Sequence, residues 1–198
     1  TMAVVKADGY GHGAVDVAVA ALQAGAGALG VCSIDEALAL RHSGIDAPVL
    51  AWLHAPGEDL AAGVAAEVDV GIYSTGQLDT AAAAAAATGR TARVHLKVDT
   101  GLTRGGASRG DWPDLVRAAV ETPSIDVVGI WSHLADGSDA DRSAVQVERY
   151  EAALAAVAAT GRALPQRHVA ATEGVFAATS PAYDLVRVGI GFYGTLGV

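Results

Sequence analysis

Eight times along the chain a short apolar run of strand character is met, and seven of the intervals between them hold a helix-like run. The strand-like runs fall at 3–7, 28–32, 48–53, 68–73, 93–99, 126–133, 167–172 and 184–189. The helix-like runs fall at 15–24, 35–42, 58–66, 75–88, 112–121 and 143–160, with a short one at 174–178. Strands that alternate with helices predict a parallel sheet, because each helix must carry the chain back to the same end. Eight is the number of strands that closes a barrel. The expected fold is therefore α/β, an eight-stranded parallel (β/α)8 barrel of the TIM type, occupying residues 1–198 as one domain.

Local chemistry supports these boundaries. Ser33-Ile34-Asp35-Glu36 and Ser74-Thr75-Gly76-Gln77 place capping hydroxyls at helix starts, and Gly25, Gly44, Gly89 and Gly161 fall where helices should stop. The alanine run 81–87 reads as an outer barrel helix, since Ala is the best helix former. The fifth strand, RVHLKVD, separates a barrel from an open doubly wound sheet. Val94, Leu96 and Val98 share one face, while Arg93, His95, Lys97 and Asp99 share the other. Strands covered by helices on both faces are apolar throughout, so a polar second face suits a barrel with a working interior. By the same parity His133 points with Trp131, and Arg187 with Leu185 and Gly189.

Composition excludes several function classes. In 198 residues, 52% hydrophobic and 18% charged content describe a folded domain rather than a disordered chain. The formal charge of −9, without clustered Lys or Arg, argues against a nucleic-acid partner. Cys32 is the single cysteine, which rules out an internal disulfide and suits a reducing, cytoplasmic compartment. The uncharged stretch 17–34 is interrupted by Gln23, Gly25, Gly27 and Gly30, so it reads as helix, stop and strand rather than a membrane span. No basic leader precedes the first strand.

The chemistry is concentrated in the opening MAVVKADGYGHGA. Lys6 follows two apolar valines and precedes a turn of three glycines, Gly9, Gly11 and Gly13, so it should project into the barrel mouth. A lysine desolvated there can become a nucleophile for a carbonyl, which is what a Schiff-base cofactor requires. The bland alternative is a surface lysine at a strand end. A third reading takes Gly9 to Ala14 as a G-x-G-x-x-G/A dinucleotide fingerprint with Asp35 or Glu36 as its acid; the pattern alone is weak, and eight β/α units exceed the six strands of that fold.

At this point the residues resemble a known family. AVVKADGYGHGA is similar to the pyridoxal-phosphate lysine motif of the alanine racemases, and SIDEALALR, LKVDTGLTRGG, GIWSHLAD and DLVRVGIGFYG resemble further stretches of that family in the same order. The resemblance implies a two-domain homodimer that uses pyridoxal 5'-phosphate, no metal, to interconvert L- and D-alanine and supply D-alanine for peptidoglycan. Carried over by position, it implies that Lys6 attaches the cofactor and acts as one of two acid/bases. Tyr10 would reach the phosphate, as would Thr172 and the backbone N–H groups of Gly189 and Ile190. Arg104 would meet the cofactor phenolate and the substrate carboxylate, and His133 would lie beside the ring. Lys97 matches a position that can be carbamylated, with an ordinary inward lysine as the equal alternative. Arg187 would face the pyridine nitrogen, where an always-charged donor keeps that nitrogen unprotonated; this counts against the decarboxylases of the same barrel class.

Where the family usually has Asn-Ser after the seventh strand, this chain has Ala171-Thr172, and Ala171 cannot replace an amide. The expectation is that the chain is the barrel domain of a longer racemase, without its N-terminal helix and C-terminal β domain, whose tyrosine, given by the other subunit, is the family's second base. Alone it should be inactive. Two other functions stay open: a single-domain carrier of pyridoxal phosphate without catalysis, and a pyridoxal barrel enzyme acting on another amino acid.

Overall fold

The computed structural model describes residues 1–55 and 57–195. The strands are β1 (Met2–Val4), β2 (Ala28–Val31), β3 (Val49–Ala51), β4 (Asp69–Ile72), β5 (Ala92–Lys97), β6 (Ile125–Trp131), β7 (Gln166–His168) and β8 (Arg187–Val188). They are hydrogen-bonded in the order β7-β6-β5-β4-β3-β2-β1-β8, every pair parallel. The two ends of that order meet: Arg187 N donates to Ala170 O at 3.0 Å and Asp184 N to Arg167 O at 3.1 Å, which closes the sheet into a barrel. Helices α2 (Ala14–Gln23), α3 (Ile34–His42), α4 (Leu60–Ala65), α5 (Thr75–Thr88), α6 (Trp112–Glu121), α7 (Ala140–Ala158) and α8 (Thr172–Phe176) carry the chain between strands. No helix among the described residues is long and apolar enough to cross a membrane.

The caps expected from sequence are made. Ser33 Oγ accepts from Glu36 N and Ser74 Oγ from Gln77 N, each at 3.2 Å. In α5 the small side chains of Ala81, Ala84 and Ala85 are buried and let the helix lie close to the sheet.

Alternation along each strand divides the molecule into two layers. Ala3, Val5, Val49, Ala51, Val94 and Leu96 face outward and pack with the helices in one continuous core. Met2, Leu50 and Leu185 face inward and plug the lower barrel. Lys6 follows the inward parity of Met2 and Val4, and so arrives at the C-terminal mouth, where barrel folds place their chemistry.

The segment after β1 differs from the expected glycine turn. It is a single helical turn, α1 (Lys6–Gly11), of left-handed sense: φ is 51° at Ala7, 52° at Asp8, 61° at Gly9 and 54° at Tyr10. For an L-residue that conformation costs roughly 1–2 kcal/mol, so its surroundings must hold it. Glu36 does so from α3, its Oε1 accepting from Ala7 N and its Oε2 from Cys32 N, both at 2.7 Å. Asp8 Oδ1 accepts from Ala14 N at 2.8 Å and fastens the turn to α2. The dinucleotide reading therefore fails twice: the sheet is a closed eight-stranded barrel, and Glu36 is engaged with backbone N–H groups. The short helix expected at 174–178 begins earlier, at Thr172.

Candidate active site

A cavity of about 490 Å³ opens at the C-terminal mouth, within the range of small-molecule sites. Nine residues singled out from sequence line it together: Lys6, Tyr10, Lys97, Arg104, His133, Thr172, Arg187, Gly189 and Ile190. Ala171, the departure from the family pattern, lines it too.

Lys6 reaches the cavity from the left-handed turn, its Nζ 5.5 Å from the centre of the Tyr10 ring. Tyr10 is carried across the mouth to β8. A Cβ built on Gly189 would lie 2.5 Å from the Tyr10 hydroxyl, so only a glycine lets the phenol approach that backbone. Tyr193 packs against Tyr10 with the rings tilted by 42° and 4.8 Å between their centres, and helps hold it there. Beside them Thr172 Oγ1 accepts from Gly189 N at 3.1 Å and Gly191 N at 3.3 Å. The Gly189 N–H is thus engaged by the threonine rather than free for a ligand, while the threonine's own hydroxyl hydrogen remains to be donated. One wall therefore offers the Tyr10 and Thr172 hydroxyls and the Ile190 N–H.

A second part of the lining is cationic. Arg187 is buried, and burial lowers its pKa to about 10, still charged at neutral pH. Its Nη1 donates to His168 Nδ1 at 2.8 Å; its Nη2 donates to Ser132 O at 2.8 Å and Val169 O at 2.9 Å, with His133 Nδ1 at 3.2 Å. A guanidinium has five N–H donors. Among the described residues Nε–H and the second hydrogen of Nη1 have no acceptor, and Arg187 lines the cavity. His133 is pushed down to about 3 by burial and by the nearby cations, Arg187 first. It is a neutral imidazole whose Nδ1 shares the two Nη2 hydrogens with Ser132 O and Val169 O, an arrangement that suits the tautomer with its proton on Nε2.

Lys97 lies 4.6 Å above the Trp131 ring, and Arg187 covers the same indole at 4.9 Å. Burial, reinforced by Arg104 and Arg187, lowers the Lys97 pKa to about 8. Arg104 stands at the rim on the loop after β5, exposed, and among the described residues its guanidinium has no hydrogen-bond partner. It is placed to meet an anion entering from solvent.

The sequence pattern of the family described as alanine racemase, N-terminal domain, matches residues 1–197. This chain belongs to the alanine racemase family. An alanine racemase of Salinispora arenicola is 48% identical over 198 residues, matching 98% of this chain and 53% of its own length. One from Frankia casuarinae is 48% identical over 199 residues, matching 98% of this chain and 52% of its own. The solved alanine racemase of a D-cycloserine-producing Streptomyces lavendulae superposes with a TM-score of 0.96 at 39% identity, covering 100% of this chain and 53% of that one. That of Bacillus anthracis, with bound L-Ala-P, has a TM-score of 0.91 at 28% identity, covering 100% of this chain and 52% of that one. The chain spans about half the length of the curated relatives it matches.

Several residues of this alanine racemase family barrel escaped the reading of its sequence. Trp52 shares the inward parity of Leu50 and lines the cavity beside Cys32, whose thiol pKa is raised by burial; parity would have found Trp52. Tyr193 lies beyond the last strand, in a short 3-10 turn (Ile190–Tyr193) with no periodic signal. Glu36, weighed from sequence as the acid of a dinucleotide fingerprint, sends its carboxylate to the turn after Lys6 and to Cys32 N.

Proposed function

We propose that this barrel binds pyridoxal phosphate covalently at Lys6 and serves the racemisation of alanine. The observation that carries the reading is Arg187: a fixed, charged guanidinium with two uncommitted N–H donors, lining the same cavity as the strand-end lysine. A pyridine nitrogen is an acceptor that such donors suit. Tyr10, Thr172 and Ile190 N–H form a donor set for a phosphate at the other end, without a bound metal. Pyridoxal phosphate bound there supplies a carbonyl carbon for amine condensation and an electron-withdrawing ring that acidifies the substrate's Cα–H.

The chain's own residues account for the rest. Arg104 holds the substrate carboxylate at the rim. Lys6 Nζ takes or returns a proton at one face of Cα. Racemisation requires a proton removed from one face and another delivered to the opposite face, so a second group must stand across from Lys6; the reading places it on a partner subunit of a homodimer. Alanine as substrate is supported by the relatives' names and by the L-Ala-P held by the Bacillus anthracis enzyme. The decisive experiment is borohydride reduction of the full-length holoenzyme followed by peptide mapping. The reduced cofactor should be found on Lys6, and a label confined to Lys97 would overturn the assignment.

Lys97 carries a second part of the proposal. Lys97 and Arg187 lie over one indole, with the Arg104 charge acting on Lys97 from the rim, and the amine of Lys97 is the one of the three cations that can change sign. Its neutral form can bond to the carbon of CO2 and lose a proton to give an anionic carbamate, which replaces repulsion by attraction to both arginines. With the amine's pKa lowered to about 8, the reactive neutral fraction grows as pH rises through 8. Under 13CO2, a carbamate carbon resonance should strengthen from pH 6 to pH 9 and be absent in Lys97→Gln; a pH-independent signal would count against it.

A further inference from the structure

A line of buried polar side chains runs down the barrel axis from Arg187 to the face opposite the cavity. Arg187 Nη1 is 2.8 Å from His168 Nδ1, His168 Nε2 is 2.9 Å from His95 Nδ1, and His95 Nε2 is 3.3 Å from Asp69 Oδ2. The four residues are 3%, 0%, 2% and 6% exposed. At the far end Arg93, half-exposed, donates from Nε to Asp69 Oδ1 at 2.7 Å. Gly129 on β6 leaves room for the His95 ring, since a Cβ there would intrude on Nδ1.

The chemistry of the two ends determines every proton between them. A guanidinium only donates, so His168 Nδ1 must accept and its hydrogen sits on Nε2. That hydrogen points at His95 Nδ1, which must then be bare, so His95 is protonated at Nε2 and donates to Asp69. A carboxylate only accepts, and the chain ends there. Protonating either imidazole would set a donor against a donor. Burial, with Arg187 and His95 beside it, holds the His168 pKa well below its ordinary value. Burial opposes the charge of Asp69, but the bonds from His95 and Arg93 outweigh it and keep its pKa low.

We propose that Asp69 is a positioning residue for Arg187, acting through this one-way chain to hold the guanidinium's free N–H donors toward the cavity. The part of the proposal that concerns the cofactor rests on the function proposed above. Asp69→Asn breaks the polarity with almost no change of volume. In the wild type Oδ2 accepts from both His95 Nε2 at 3.3 Å and Arg93 Nη2 at 3.4 Å, and Oδ1 from Arg93 Nε at 2.7 Å. An amide must put its NH2 at one of these two places, where it opposes the Arg93 Nε–H or, facing His95, forces that ring's hydrogen onto Nδ1, against His168 Nε2–H.

The test uses 15N-histidine-labelled full-length holoenzyme and long-range 1H–15N correlation spectra, with pyridoxal phosphate labelled at the ring nitrogen. In the wild type, His95 and His168 should both be neutral with hydrogen on Nε2. In Asp69→Asn, His95 should show mixed tautomers, the cofactor ring nitrogen should shift, and the cofactor dissociation constant should rise about tenfold, one hydrogen bond's worth of orientation. Arg93→Gln should leave both tautomers in place. If Asp69→Asn does not fold, His95→Phe interrupts the same chain at similar ring volume and should produce the same ring-nitrogen shift. An Nδ1–H tautomer at either histidine of the wild type, or an unchanged ring-nitrogen signal in whichever variant folds, overturns the proposal. A holoenzyme with no label on Lys6 but with both tautomers as stated would instead sink the cofactor reading and leave the chain intact.

Discussion

Residues 1–198, purified alone and loaded with pyridoxal phosphate, are expected to exchange the Cα hydrogen of alanine with solvent while racemising it at least about 100-fold more slowly than the full-length enzyme. Exchange needs a base on one face only, the role proposed for Lys6. Inversion needs a second group of suitable pKa across from Lys6, and the cavity's other titratable groups do not supply one. His133 accepts a proton only near pH 3 and already takes a hydrogen from Arg187. The thiol of Cys32 and the phenol of Tyr10 are both raised by burial and stay neutral. Glu173 sits at the rim beside Thr172, on the wall assigned to the phosphate. Lys97 remains largely protonated below pH 8. In D2O, one enantiomer of alanine should gain deuterium with its configuration retained. Turnover equal to that of the full-length enzyme would mean that both proton-transfer groups lie within this chain, and Lys97→Met would then identify or dismiss the lysine.

The parts of this site that could be read from sequence are those set by strand parity. Met2, Val4 and Lys6 alternate with Ala3 and Val5, and Arg93, His95 and Lys97 alternate with Val94 and Leu96, so the inward set is visible before any fold is drawn. The motifs then assign the mouth residues through family resemblance. What parity cannot give is depth. His95 and His168 both point inward, but whether they meet depends on the stagger of strands on different sides of the barrel and on the register shift between Val94 and His95, where β5 pairs with β6. The pairing of Asp69 with both Arg93 and His95 lies away from the mouth, on strands where no sequence signal marks Asp69 for a role. Nor does sequence announce a left-handed turn at Ala7, Asp8 and Tyr10, because none of these residues favours positive φ in the way glycine does. That conformation is imposed by Glu36, from a helix 29 positions away in sequence.

Arg187 is where the two halves of the problem meet, and its substitution should have the largest effect on stability. The family resemblance implies a cofactor-facing cation; in the structure Arg187 is a buried junction whose loss leaves Ser132 O, Val169 O and His168 Nδ1 without their donor. Removing one member of such a network while its acceptors stay buried costs about 3–5 kcal/mol. For a domain of this size that corresponds to a fall in Tm of roughly 10 °C. Arg187→Met should show this loss. Arg187→Lys should recover only part of it, since a single ammonium cannot span acceptors arranged for a planar fork. Arg187→Glu should be worse than either, because it places a carboxylate against carbonyl oxygens and bare imidazole nitrogen. The methionine variant decides the matter, since buried ion networks replaced by apolar side chains of similar volume are sometimes as stable as the original. Calorimetry of the full-length apoenzyme gives the answer independently of the cofactor: a Tm for Arg187→Met within a degree or two of wild type would show that the network contributes nothing to the fold. Arg187 would then be held in its buried, four-acceptor setting by the needs of the cavity alone.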